Sequence, residues 1–145
     1  PGTVCRAPIT SPDLYPTLME AAGLPLRPEQ HRDGVSFVPA LLGETSFDRG
    51  PVFWHYPHYG NQGGTPGSSV RSGRWKLIES LEHGQLELYD VVADLSETNE
   101  VSNAHPDLVR DLHEQLAAWR RQVNARYPAP NPAWPDSCLR SRHDS

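Results

Sequence analysis

The sequence predicts an α+β fold: a small antiparallel sheet of about four strands, covered by a long C-terminal helix and preceded by a shorter helix near the N-terminus. Three observations carry this. Leu108, Leu112, Leu116, Trp119 and Val123 recur at helical spacing and make one apolar stripe. Three strand-like segments between residues 69 and 91 are separated by the tight turns Ser72-Gly73 and Glu82-His83-Gly84, and strands with such short connections run antiparallel. Leu14, Leu18, Ala21 and Ala22 can share a helical face.

The first helix is expected over Asp13 to Ala22. Pro16 sets its start: with Ser11 as the cap, Pro16 would fall where a helical N–H is needed. With Asp13 as the cap, it falls among the first positions, whose N–H groups have no helical partner. Gly23 then ends the helix and Pro25 prevents its resumption. A loop from Leu26 to Gly34 leads to a helical turn or two in Val35 to Leu42, closed by Gly43.

Pro51 to Tyr56 reads as a strand with Val52, Trp54 and Tyr56 on one side. Gly60 to Ser69, with four glycines and a proline, is expected to be a loop. Strands follow at Ser69–Arg71, Arg74–Ser80 and Gln85–Val91, with a hairpin-like turn before the last. The long helix should run from Pro106 to Ala125. Pro106 suits its first turn, Asp107 and Asp111 its positive end, and Arg120, Arg121 and Arg126 its negative end. The tail beyond Tyr127 has four prolines and no periodicity, and is expected to be an extended strap that becomes disordered.

A chain of 145 residues can bury one modest core. Its hydrophobic share is 37%, and it carries 15 prolines and 11 glycines, so much of it must be loop or must lean on surface lying elsewhere. A net charge of −5 argues against a nucleic-acid partner, which calls for a basic patch. No run approaches the ~18 apolar residues of a membrane span. Pro1 is not an initiator Met and no signal segment follows it, so a chain cut from something longer is expected. Cys5 and Cys138 lie near opposite ends, and their pairing cannot be deduced from sequence.

The densest group of polar side chains is His55, His58, Tyr59, Asn61 and Gln62, at a strand end entering a glycine-rich loop, where binding groups commonly sit. The histidines can donate to an anionic oxygen, and the amides can read hydroxyls. The same side chains can equally pack beneath the loop and satisfy backbone groups. Zinc is a rival use for His55 and His58, but a zinc site needs three or four ligands and no third is evident nearby. Arg71, Arg74 and Lys76 could rim an anionic ligand or form a solvated strand face. Glu97 and Glu100 resemble an acid–base pair but have no nucleophile beside them, which favours turn capping.

Several stretches, in order, resemble the C-terminal part of sulfatases of the arylsulfatase type, in the alkaline-phosphatase-like superfamily. They are Asp13-Leu14-Tyr15-Pro16-Thr17 with Ala22-Gly23-Leu24-Pro25, then Asp33-Gly34-Val35-Ser36, then Phe53-Trp54-His55-Tyr56-Pro57-His58-Tyr59. After these come Val70-Arg71-Ser72-Gly73-Arg74-Trp75-Lys76-Leu77-Ile78, Glu87-Leu88-Tyr89-Asp90, Asp94 and Glu97. One departure is Glu100, where the family usually has Asn. The resemblance covers residues 3 to 132 and implies three parts. Residues 1–43 would end an α/β catalytic domain, 44–127 would form the C-terminal subdomain, and 128–145 would be an extended or disordered tail.

The family cleaves sulfate esters with a formylglycine made within a Cys/Ser-x-Pro/Ala-Ser/Ala-Arg motif, beside a divalent metal, usually calcium. Cys5-Arg6-Ala7-Pro8-Ile9 departs from that motif at its fourth and fifth places. Cys138-Leu139-Arg140-Ser141-Arg142 departs at its third. The resemblance therefore implies a fragment without catalytic residues or metal ligands, its partners being a missing N-terminal catalytic domain and a sulfated small molecule or glycan. His55, His58, Asn61, Gln62 and Arg71 would contact substrate. Calcium and formylglycine would belong to the intact parent, and the family's location is extracytoplasmic. A free-standing anionic-glycan-binding module and a subdomain of a related phosphoesterase remain alternatives.

Overall fold

The computed structural model describes residues 4–61 and 63–129. Gln62, Cys138 and the tail from residue 130 onward lie outside the described residues, and the Cys5–Cys138 question lies there too. Cys5 itself is exposed. The chain divides into two units at the Pro51–Val52 junction.

The first unit holds α1 (Leu14–Ala21) and the short α2 (Val38–Leu41). A 3₁₀ turn at Ser11–Asp13 precedes α1. Asp13 stands at the N-cap position as expected, with Pro16 in the first turn, but its side chain makes no cap bond. It is buried and serves the tertiary structure instead. One carboxylate oxygen accepts from the Val35 N–H at 2.9 Å and from Arg49 Nη2 at 2.8 Å. The other accepts from the Thr10 N–H and from Arg49 Nε, both at 2.7 Å. Burial pushes the Asp13 carboxyl up, but Arg49, Val35 and Thr10 outweigh it and hold it below its ordinary value.

Arg49 also donates to the Thr10 hydroxyl and the Asp33 carbonyl. One ion pair thus ties three loops together. Gly34 fits because a Cβ there would meet the Pro12 carbonyl oxygen at 2.3 Å, which gives the Asp33-Gly34-Val35-Ser36 run a steric reason. The α1 stripe, however, is not covered. Thr17 and Pro16 are buried, while Leu14 and Leu18 are 50% and 67% exposed.

The second unit is a four-stranded antiparallel meander in the order β1-β2-β3-β4, formed by Val52–Tyr56, Gly67–Ser72, Trp75–Ser80 and Leu86–Asp90. The second strand starts earlier than expected because Gly67 and Ser68 pair with Tyr56 and His55. Cross-strand register puts Phe53, Val70, Leu77 and Leu88 in one row. Alternation sends Val52, Trp54 and Tyr56 to the opposite face.

The helix α3 (Pro106–Gln122) covers the first of these faces. Leu112 and Leu116 bury against Val70, Leu77 and Leu88, each side chain contributing about 1.5–3 kcal/mol over its exposed state. Trp119 stacks on Phe53 at 5.0 Å. The helix stops before Val123, which is 46% exposed, and Asn124 turns to φ 53°. A 3₁₀ turn at Ser102–Ala104 leads into it. Arg120 stands in the last turn as expected, and is buried and bonded to Glu79 of β3 at 2.7 Å.

Candidate functional site

The predicted site residues are not gathered in one place. His55 points to the helix-covered face, on the row of Ser68 and Glu79. Its Nε2 lies 2.7 Å from the Arg126 carbonyl and its Nδ1 2.6 Å from the Ser68 hydroxyl. Nε2–H therefore donates to the carbonyl, and Nδ1 accepts from the serine. Tyr127 packs edge-on against the same ring, and Arg120 lies over the Tyr127 ring at 5.2 Å. Both nitrogens of His55 are committed, Nε2 to holding the chain after α3 against β1 and Nδ1 to Ser68 of β2.

His58 and Asn61 are exposed in the loop beyond β1, His58 edge-on to Tyr56 at 5.5 Å. The loop doubles back through Gly63 N–H to the Gly60 carbonyl at 3.3 Å and Gly60 N–H to the Gly64 carbonyl at 3.4 Å. That path requires glycine. Gly63 and Gly64 have φ of 94° and 98°, and a Cβ on Gly60 would sit 2.5 Å from the Gly63 oxygen. Gln62, predicted beside them, lies outside the described residues.

Arg71 faces the other way, on the sheet's open face. It pairs in register with Val52, so it stands about 13 Å along the strands from the Tyr56 end where the loop begins. Its Nε donates to the Gly73 carbonyl, and among the described residues no carboxylate pairs with it. Arg74 is bonded to Asp90, and Lys76 meets both oxygens of Glu97 at 2.7 Å.

Glu97 and Glu100 have separate tasks. Glu97 holds Lys76 from a left-handed backbone position at φ 54°. Glu100 accepts from the N–H groups of Leu88 and Ser102, bonds that hold its carboxyl below the ordinary value even against burial. The glutamate that departs from the family pattern thus makes the loop contact itself. On the open face the Tyr89 hydroxyl donates to Glu87. Burial, that bond and the nearby Glu87, Glu100 and Glu97 charges push Tyr89 up to about 12.

The sequence set Trp54 and Tyr56 on one side of β1 but gave them no role. They are 47% and 57% exposed beside a cavity of about 220 Å³. The signal was the alternation Phe53-Trp54-His55-Tyr56, in which only one pair can face the helix. Among the described residues no three His, Cys, Asp or Glu side chains are grouped as a metal site needs.

A four-stranded meander with one helix across it, carrying polar groups on its loop and open face, defines a small α+β subdomain. The chain belongs to the family of N-sulphoglucosamine sulphohydrolase C-terminal domains, whose model matches residues 1–122. A sulfatase of Formosa agariphila is 32% identical over 140 residues, covering 87% of this chain and 25% of the relative. A Δ4,5-hexuronate-2-O-sulfatase of Bacteroides thetaiotaomicron is 36% identical over 88 residues, 59% of this chain and 18% of the relative. The solved structure of a 2-O GAG sulfatase matches with a TM-score of 0.64 at 27% identity, over 78% of this chain and 25% of that one. The chain thus spans about a quarter or less of the length of these curated relatives.

Proposed function

We propose that this chain is the C-terminal part of a sulfuric ester hydrolase acting on a sulfated glycan, and that it shapes the substrate pocket without supplying the nucleophile. The observation that carries the reading is the uncovered apolar surface of the first unit. Leu14 and Leu18 on α1, and Leu41 and Leu42 at α2, are between 50% and 77% exposed. Apolar surface of that kind marks an interaction site, and the family relationship supports an upstream catalytic domain as the partner that covers it. The 2-O-sulfatase relatives favour a sulfated uronic-acid glycan as substrate.

In this reading His58 and Asn61, with Gln62, offer donors to the substrate from the glycine-rich loop, and Arg71 offers a cation. His55 acts indirectly, by fixing β1. Calcium, formylglycine and the acidic metal ligands belong to the upstream domain, and the enzyme works outside the cytoplasm. The alone-standing chain does not hydrolyse sulfate esters.

The encoding DNA tests this. A reading frame continuous upstream of the Pro1 codon, containing the Cys/Ser-x-Pro/Ala-Ser/Ala-Arg motif, is the expected result. A stop codon followed by the chain's own start and signal peptide would overturn the proposal in favour of a free-standing glycan-binding module.

A further inference from the structure

We infer that the open face of the sheet around Trp54 and Tyr56 is a stacking subsite for one sugar ring of an anionic glycan, an inference that rests on the glycan-hydrolase reading above. Trp54 and Tyr56 project from the same face, two residues apart on β1. Gly67 lies opposite Tyr56 and Ser69 opposite Trp54, so no bulky neighbour stands between the rings and solvent on β2. The adjoining cavity of about 220 Å³ is lined by both aromatics, Thr65, Ser69, Lys76 and Ile78. That is below the ~300 Å³ at which pockets for drug-sized ligands begin. One ring fits this space, and a longer oligosaccharide would have to extend beyond it.

The lining chooses between occupants. A dry protein surface, including a second copy of this chain, would bury the Thr65 and Ser69 hydroxyls and the Lys76–Glu97 pair without water, which is costly. A sugar presents C–H groups to the aromatic faces and hydroxyls to those polar groups. One cation on this face, Arg71, has no carboxylate partner among the described residues and favours an anionic ring. Arg71 and Lys76 are directly paired across β2 and β3, an arrangement of like charges that is unfavourable by itself. Glu97 neutralises Lys76. Tyr89 donates to Glu87 on the same face from a neutral hydroxyl and does not offset its charge, so a sulfate would be received by the Arg71 guanidinium, which no carboxylate pairs with among the described residues.

The test is calorimetric titration of the 145-residue chain with a 2-O-sulfated unsaturated disaccharide and with its desulfated counterpart. The sulfated form should bind more tightly. Trp54→Ala should weaken binding about three- to tenfold, Trp54→Phe should retain it, and Arg71→Ala should abolish the preference for sulfate. Amide spectra of each variant establish that the fold persists. Undiminished binding by folded Trp54→Ala, with loss in His58→Ala, would overturn this inference and leave the glycan reading standing. Failure of the wild-type chain to bind either sugar would overturn it as well, while the upstream reading frame still judges the parent function. A dimer that Trp54→Ala dissolves would assign the face to a second copy and equally refute the subsite.

Discussion

Replacing Arg49 by methionine should destabilise the N-terminal unit by about 3 kcal/mol, judged from the pair it forms. The side chains of Arg49 and Asp13 are only 6% and 1% exposed. Removing one partner of a buried pair costs about 3–5 kcal/mol, because the remaining charge is left uncompensated. Asp13 would keep the Thr10 N–H, Thr10 hydroxyl and Val35 N–H, which argues for the lower end. Amide exchange at Val35 reads the loss directly and should accelerate about a hundredfold at pH 7.

The pH dependence has a definite sign. In the wild type the Asp13 carboxyl is depressed, so its stabilisation is present above the unfolded value and is lost as pH falls through the lower folded value. Without Arg49, burial loses its main counterweight and pushes that carboxyl up. The variant then takes up its proton first, and its deficit should shrink as pH falls from 7 towards 4. The double variant Asp13→Asn/Arg49→Met should lose less than the sum of the single losses. Val35 exchange within threefold of wild type, or a deficit that stays constant on acidification, would refute this account of the pair.

Other expectations follow from the second unit. Leu116→Ala removes a fully buried side chain and should cost about 2–5 kcal/mol in urea unfolding. His55→Ala breaks its bonds to Ser68 and the Arg126 carbonyl and should speed exchange at Ala125, whose N–H donates to the Arg120 carbonyl, while leaving the β3 core protected. Glu100 is depressed chiefly by its bond to the Leu88 N–H. Its stabilisation of the loop should therefore be present above the ordinary glutamate range and fade as pH falls through the lower folded value, read as faster exchange at Leu88 and Ser102. Glu100→Gln should remove that pH dependence.

The sheet and long helix were legible because each follows a period the chain displays openly. The Leu108–Trp119 stripe and the turns at Gly73 and Gly84 need no distant information. Boundaries moved where pairing decided them: Gly67 and Ser68 look like loop until Tyr56 and His55 are placed opposite. The first helix was found for a sound backbone reason, yet its apolar stripe lies exposed and its buried face is Asp13, Pro16 and Thr17. Only the 22-residue separation of Asp13 from Val35 and its 36-residue separation from Arg49 explain that, and local periodicity carries no such long-range term. The site residues show the same limit. His55 and His58 are three apart in sequence, but strand alternation and the loop send them to different neighbours.

The central claim is that this chain reads a sulfated substrate while the nucleophile lies elsewhere. The most direct test is sulfate release from the 2-O-sulfated disaccharide incubated with this chain and calcium, measured by ion chromatography. The account predicts release no greater than in buffer alone. Release above that blank would contradict it, since no Cys or Ser of this chain stands in a Cys/Ser-x-Pro/Ala-Ser/Ala-Arg sequence.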